Sequence, residues 1–251
     1  MTRRQVPARW WKAESGGRVR CHLCAHRCRI RQGKTGICQV RTNRGGALVS
    51  LVYGRLVSAS ADPIEKKPLS HVLPGSSCFS VATVGCNLRC SFCQNASISQ
   101  WRRVLERDPP GEPATAASVV EATQRNGCRS LAFTYTEPTI GMEFAEETGL
   151  LAREHGLRTV FVTNGYMSTD MLELYHPLLD GANVDLKAFR DETYRKQVGA
   201  RLQPVLDTLK TLRRLGVWIE VTTLIIPGVN DEPDELRELA RFLRSELGPD
   251  T

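Results

Sequence analysis

No run in this 251-residue sequence is apolar for long enough to cross a bilayer as a helix. The start, Met1-Thr-Arg-Arg-Gln-Val-Pro-Ala-Arg-Trp-Trp-Lys12, is basic but has none of the uninterrupted apolar stretch that a secretion signal needs. A cytoplasmic protein without membrane contact is therefore expected. A glycine-rich phosphate loop and a catalytic triad are absent too, which sets aside P-loop and triad chemistry. Acidic residues are nearly missing from the first 45 positions, where Glu14 stands alone against ten Arg and two Lys. That arm carries a net +11 in a chain of net +7, so the remainder is acidic. Such an arm can meet nucleic acid or an acidic protein, or it can be the solvated face around a metal site.

What the chain does have is cysteine: nine of them, which in a reducing compartment point to metal or redox chemistry rather than disulfides. Cys78 and Cys128 stand alone and are expected to be small buried hydrophobes. The other seven fall into two sets, Cys21, Cys24, Cys28 and Cys38, then Cys86, Cys90 and Cys93. The second set sits in one short loop, Cys86-Asn-Leu-Arg-Cys90-Ser-Phe-Cys93, just after the apolar run Phe79–Gly85. Three thiolates so close together can hold three corners of a cubane iron–sulfur cluster and leave its fourth iron open, whereas a closed structural site normally supplies four ligands.

Three regions separate along the chain. Residues 1–45 form a basic, Cys-rich, metal-binding extension. Residues 46–77 predict a hairpin turning near Tyr53-Gly54, followed by the linker Asp62-Pro-Ile-Glu-Lys-Lys-Pro-Leu-Ser-His-Val-Leu-Pro-Gly75. From 78 to 251, strand patterns (Phe79–Gly85, Ser130–Thr136, Thr159–Thr163, Ala182–Lys187, Trp218–Ile226) alternate with helical ones (Ala116–Asn126, Ile140–His155, Thr169–Leu179, Pro204–Leu215, Glu232–Leu247). Gly127, Gly156, Gly216 and Gly248 read as helix terminators, and Ser168 and Asp231 as N-caps. The class is α/β with parallel strands, curling toward a barrel whose chemistry lies at the carboxyl ends. The chain stops after a helix with no sixth strand, so an open edge is expected, left by a fragment or covered by a partner.

Cys86, Cys90 and Cys93, with Phe92 before the third, resemble the signature loop of radical S-adenosylmethionine (radical SAM) enzymes. The resemblance implies a partial (β/α)6 barrel over 78–251 lacking its last strand. It implies a [4Fe–4S] cluster on the three cysteines, S-adenosylmethionine chelated at the open iron, and reductive cleavage to a 5′-deoxyadenosyl radical. Tyr135-Thr136-Glu137-Pro138 resembles the family's Gly-Gly-Glu-Pro segment, so Glu137 either accepts from the SAM ammonium or caps the next helix. Thr163-Asn164-Gly165 and Asp185-Leu186-Lys187 resemble segments of the glycyl-radical-activating branch that reach the SAM carboxylate and ribose. Lys187 either meets that carboxylate or pairs with Asp185. Phe92, Glu137, Thr163, Asn164, Asp185 and Lys187 are thus the candidate SAM-binding residues, with Leu224-Ile-Ile-Pro-Gly228 either an adenine bed or a buried strand. The Cys-x2-Cys-x3-Cys-x9-Cys block, Asp62-Pro-Ile-Glu-Lys-Lys-Pro68 and Cys93-Gln-Asn95 are similar to the radical SAM component of the AmmeMemoRadiSam system, near pyruvate formate-lyase-activating enzymes. Memo-type and AMMECR-type proteins and a flavodoxin or ferredoxin donor are the partners this implies.

Cys21, Cys24, Cys28 and Cys38 supply four thiolates, enough for zinc, placed slightly ahead, or for a second iron–sulfur cluster. His71 is expected to be structural rather than a rim residue. The alternative from another class is a zinc-containing nucleic-acid-binding protein using the basic arm, which leaves the three-cysteine loop idle.

Overall fold

The computed structural model describes residues 6–103 and 108–251; Arg3 and Arg4 of the basic arm fall outside them. Six strands form the main sheet: β1 (Ser58–Pro63), β2 (Ser77–Ala82), β3 (Ser130–Phe133), β4 (Arg158–Thr163), β5 (Gly181–Asp185) and β6 (Trp218–Thr222). They stand side by side in chain order, and every pair is parallel except β1 with β2. Helices α1 (Ala116–Arg125), α2 (Met142–Glu154), α3 (Thr169–Tyr175) and α4 (Gln203–Arg214) make the crossovers, and α5 (Pro233–Phe242) follows β6. The expected α/β class with a mostly parallel sheet is present.

Strand alternation sends the two faces of this sheet to different partners. Phe79, Val81, Leu131, Phe133, Phe161, Val184 and Ile219 join the large core that includes Phe144 of α2 and Leu209 of α4. Cys78, Ala132 and Val160 point the other way and pack against Ile64 and Leu69. Burial on both faces is why these strands read as near-continuous apolar runs. Cys78 and Cys128 are both buried, as expected of small hydrophobes.

The segment read as a linker has two structural roles. Its first part is β1, an antiparallel strand along the β2 edge, so that edge is occupied by the chain itself. Its second part crosses the face opposite the helices: Asn183 Nδ2 donates to Pro68 O (2.9 Å), and Glu220 accepts from the Ser70 and His71 amides at 2.8 and 2.9 Å. His71 lies beside Trp218, at the start of β6, with its side chain largely exposed.

The hairpin expected at Tyr53-Gly54 is instead formed by Arg41–Arg44 and Ala47–Ser50, turning at Gly45-Gly46. Arg55–Leu56 leaves it to pair with Glu112–Pro113. Both glycines hold positive φ (61° and 85°), a tighter turn signal than one glycine after a tyrosine. Ser168 caps α3 by accepting from Met171 N, whereas Asp231 accepts from Gly228 N (2.9 Å) inside the loop and the cap of α5 is Glu232. The last strand ends at Thr222, short of Ile226. Asn230 pulls the chain into a loop there, donating to Lys187 O and Leu224 O and accepting from Ile226 N.

The N-terminal unit adds a small antiparallel sheet, Trp11–Glu14, Arg18–Cys21 and Arg29–Ile30. It is fastened to α2 by Arg41, 1% exposed, which donates through Nη1 and Nη2 to both Glu143 oxygens at 3.0 and 2.8 Å. Arg9 reinforces the contact through its backbone N–H on Glu143 (2.7 Å) and its side chain on Glu146.

Candidate metal centre

Cys86, Cys90 and Cys93 occupy the loop that leaves the carboxyl end of β2. Gly85 starts it at φ +99°, and an added Cβ there would come 2.7 Å from Val40 Cγ1 and 3.0 Å from Cys38 O. Only glycine fits that close approach. The loop is pinned to the connection after β5, with Arg89 N on Val198 O (2.9 Å) and Ser91 N on Gln197 O (2.8 Å). Phe92 is half-buried and packs against the main core.

Donors already address the sulfurs. Leu88 N is 3.3 Å and Asn164 Nδ2 3.5 Å from Cys86 Sγ, and Ser99 Oγ lies 3.2 Å from Cys93 Sγ. Burial pushes the Cys86 thiol well up, with the Glu137 charge adding to it. Burial also raises Cys90 to about 11, against the pull of the nearby Lys187 ammonium. At Cys86 and Cys90 the neutral thiol is the default, so a bound cation is needed to hold them as thiolates.

Glu137, 1% exposed, is the hub of the wall beside them. Its Oε1 accepts from Thr139 N (3.0 Å), Thr139 Oγ1 (2.5 Å) and Thr163 Oγ1 (2.8 Å), and its Oε2 from Asn164 N (2.8 Å). Burial raises the Glu137 carboxyl, while these four bonds oppose the rise. The carboxylate therefore caps the short 3₁₀ helix Pro138–Gly141 and at the same time sets Asn164. From there Asn164 Nδ2 reaches Cys86 Sγ and Asn87 Oδ1 (2.8 Å). Lys187 Nζ pairs with Asp185 Oδ2 at 2.6 Å. Burial pulls that ammonium down, but Asp185 outweighs it and leaves the pKa raised. Leu224 and Ile225 are about half exposed (49% and 45%), so this stretch is not a buried strand.

Sequence reasoning missed the joints that hold the site together. Asn87 Nδ2 donates to Tyr166 O (3.0 Å), and His26 Nε2 donates to Asn87 O (2.7 Å). Tyr135 takes a left-handed backbone (φ +64°) where the resembling motif has glycine, a strain of roughly 1–2 kcal/mol. The strain is offset by its phenol, which donates to Asp62 Oδ2 (2.5 Å) and accepts from Lys67 Nζ (3.1 Å). Lys67 is itself 1% exposed and paired with Asp62 at 2.8 Å. Asn95 Nδ2 then donates to Tyr135 O (2.8 Å). The segments Asp62–Pro68, Cys93–Asn95 and Tyr135–Pro138 thus meet at one tyrosine. Each segment is legible in the sequence by itself, but their meeting is not.

The profile of the Radical SAM superfamily matches residues 80–243, about two-thirds of the chain, including Cys86, Cys90, Cys93, Glu137, Asn164 and Lys187. The chain belongs to the radical SAM superfamily. An uncharacterized protein of Methanocaldococcus jannaschii is 41% identical over 248 residues, covering 97% of this chain and 72% of that protein. The pyruvate formate-lyase-activating enzyme of Clostridium pasteurianum is 25% identical over 167 residues, covering 64% of this chain and 67% of that one. Among solved structures, SuiB of Streptococcus suis bound to S-adenosylmethionine superposes with a TM-score of 0.51 at 16% identity. That match covers 64% of this chain and 36% of SuiB, and shows the fold alone.

A radical SAM enzyme carries a [4Fe–4S] cluster and S-adenosylmethionine and draws on a reductant. The donor set here fits the cluster, with three thiols on one loop and N–H and O–H groups aimed at two of the sulfurs. Among the described residues, no three His, Cys, Asp or Glu side chains converge on a point that would hold a single ion. A cubane asks for a different arrangement, with each thiolate on its own iron.

Proposed function

We propose that Cys86, Cys90 and Cys93 hold the [4Fe–4S] cluster, and that S-adenosylmethionine binds beside it at the carboxyl ends of β2–β6, the rim of a partial barrel. When bound, the cluster supplies the electron that cleaves the sulfonium into methionine and a 5′-deoxyadenosyl radical for hydrogen abstraction. The observation that carries this reading is the three-cysteine loop walled by Asn164, which Glu137 fixes through its backbone N–H.

The chain's own residues orient and shield. Phe92 anchors the loop by packing against the main core. Thr163 and Asn164 are held at the end of β4 by a carboxylate that water does not reach. The Lys187–Asp185 pair presents a cation near Cys90 for an anionic group of the cofactor, its geometry fixed in advance. Leu224 and Ile225 offer the apolar surface an adenine ring needs. The glycyl-radical-activating sub-reading is supported by the Thr-Asn-Gly and Asp-Leu-Lys segments and by the relatives' names. The AmmeMemoRadiSam reading, with Memo-type and AMMECR-type partners and a flavodoxin or ferredoxin donor, rests on the Cys21–Cys38 block, Asp62–Pro68 and Cys93–Asn95, the last two of which join at Tyr135.

The nucleic-acid reading has less support, because Arg9, Arg20, Arg29 and Arg41 are already engaged by Glu146, Glu14 and Glu143. Anaerobic reconstitution followed by SAM and dithionite is expected to yield 5′-deoxyadenosine. A reconstituted protein that releases none overturns the proposal. In Glu137→Gln the new amide can no longer serve every donor around it, so Asn164 shifts. 5′-Deoxyadenosine formation should then fall on the order of 10²-fold with iron content unchanged. An unaltered rate would show that Glu137 does not set the site.

A further inference from the structure

The four cysteines of the N-terminal unit are not used by the site described above, yet they lie directly behind it. Cys21 ends the strand Arg18–Cys21, and Cys21, Cys24, Cys28 and Cys38 line one small cavity of about 20 Å³ together with Arg41. We propose that this cavity is a tetrathiolate site for a single zinc ion, and that His26, carried between two of its ligands, holds the catalytic cysteine loop in place.

Three observations point to an ion. Gly36 leaves room for sulfur: an added Cβ would lie 3.3 Å from Ile30 Cδ1 and 3.6 Å from Cys28 Sγ. Arg41, which lines the cavity, spends its Nη atoms on Glu143 and Arg9 O, while its buried Nε is without a hydrogen-bond partner. A buried N–H with nothing to bond calls for an acceptor, and four thiolates around a divalent ion, net −2, supply one. The third observation is size. A water needs about 10–15 Å³ by this measure, so the space of about 20 Å³ is already enough for one ion. Binding would draw the sulfurs, which now line the cavity without converging, to about 2.3 Å from the metal.

The link to the catalytic loop is short. His26 lies two residues from both Cys24 and Cys28; its Nε2 donates to Asn87 O at 2.7 Å, and its ring is 4.7 Å from that of Tyr166. Asn87 in turn bonds Asn164 and Tyr166, and Cys38 O sits under Gly85. An ion that fixes the Cys24–Cys28 turn therefore fixes the backbone next to Cys86. This positioning role rests on the reading of Cys86, Cys90 and Cys93 as the cluster loop; the zinc site does not.

Elemental analysis of the anaerobically reconstituted full chain separates the two. About one zinc per chain is expected beside about four irons, with the zinc lost and the irons largely kept in Cys24→Ser. About eight irons without zinc, or no metal beyond the four irons, overturns the zinc site. Should Cys24→Ser fail to fold, cobalt substitution of the unmodified chain decides, since a tetrathiolate site gives intense sulfur-to-cobalt charge-transfer bands and their absence overturns the assignment. For the positioning role, His26→Phe is expected to keep zinc and iron but change the electron paramagnetic resonance spectrum of the reduced cluster with SAM present. A spectrum identical to that of the unmodified protein overturns that role.

Discussion

Replacing Cys90 with alanine is expected to remove about four irons per chain and bring 5′-deoxyadenosine formation below detection, while leaving the fold intact. A cubane left with two thiolates on the protein has lost one of its three protein ligands. The fold survives because the loop is tied down by its backbone. The Arg89 and Ser91 amides bond Val198 and Gln197 whether or not the sulfur is present, and Cys90 is only partly buried. Cys78→Ala is the matching control. That thiol is fully buried in the face packed by Ile64 and Leu69, so its loss should lower stability and leave the iron in place. Iron analysis and thermal unfolding of the two variants, side by side, check both halves. Full iron in Cys90→Ala would remove that residue from the ligand set.

The second large effect concerns stability. Glu143→Ala should destabilise the protein by about 3–5 kcal/mol, because it strands the Arg41 guanidinium without its counter-charge. Arg41 and Glu143 are 1% and 5% exposed in their side chains, so water cannot take over. The Arg9 amide loses its acceptor as well. The double change Arg41→Met with Glu143→Leu should recover most of the loss, since apolar residues of similar volume often replace a buried ion pair without penalty. Urea unfolding measures both. A loss below about 1 kcal/mol, the range of exposed pairs, would mean that the N-terminal unit is not anchored there.

The parts of this molecule that were legible in the sequence are local ones. The cysteine loop, the β-branched runs that became β2–β6 and the cap at Ser168 each depend on residues within a few positions of one another. The strand ends at Phe133 and Thr222 were overshot because Thr134 to Thr136 and Thr223 to Ile226 keep strand-like composition while side chains such as Asn230 fold them into loops. Hidden altogether was the joint at Tyr135, whose phenol meets Asp62 73 positions away. The strand Arg41–Arg44, spelled Arg-Thr-Asn-Arg, carries no apolar alternation, so its hairpin with Ala47–Ser50 was assigned to the wrong turn. Glu137 was found through its motif, but its double service as helix cap and anchor of Asn164 needed the positions of two strand ends at once.

The most direct test is electron–nuclear double resonance on the reduced protein with S-adenosylmethionine labelled at its amino nitrogen. A vacant iron corner predicts a hyperfine coupling from that nitrogen, together with a changed cluster spectrum on addition of the cofactor. A spectrum indifferent to the cofactor, with no such coupling, would mean that a fourth protein ligand closes the cluster.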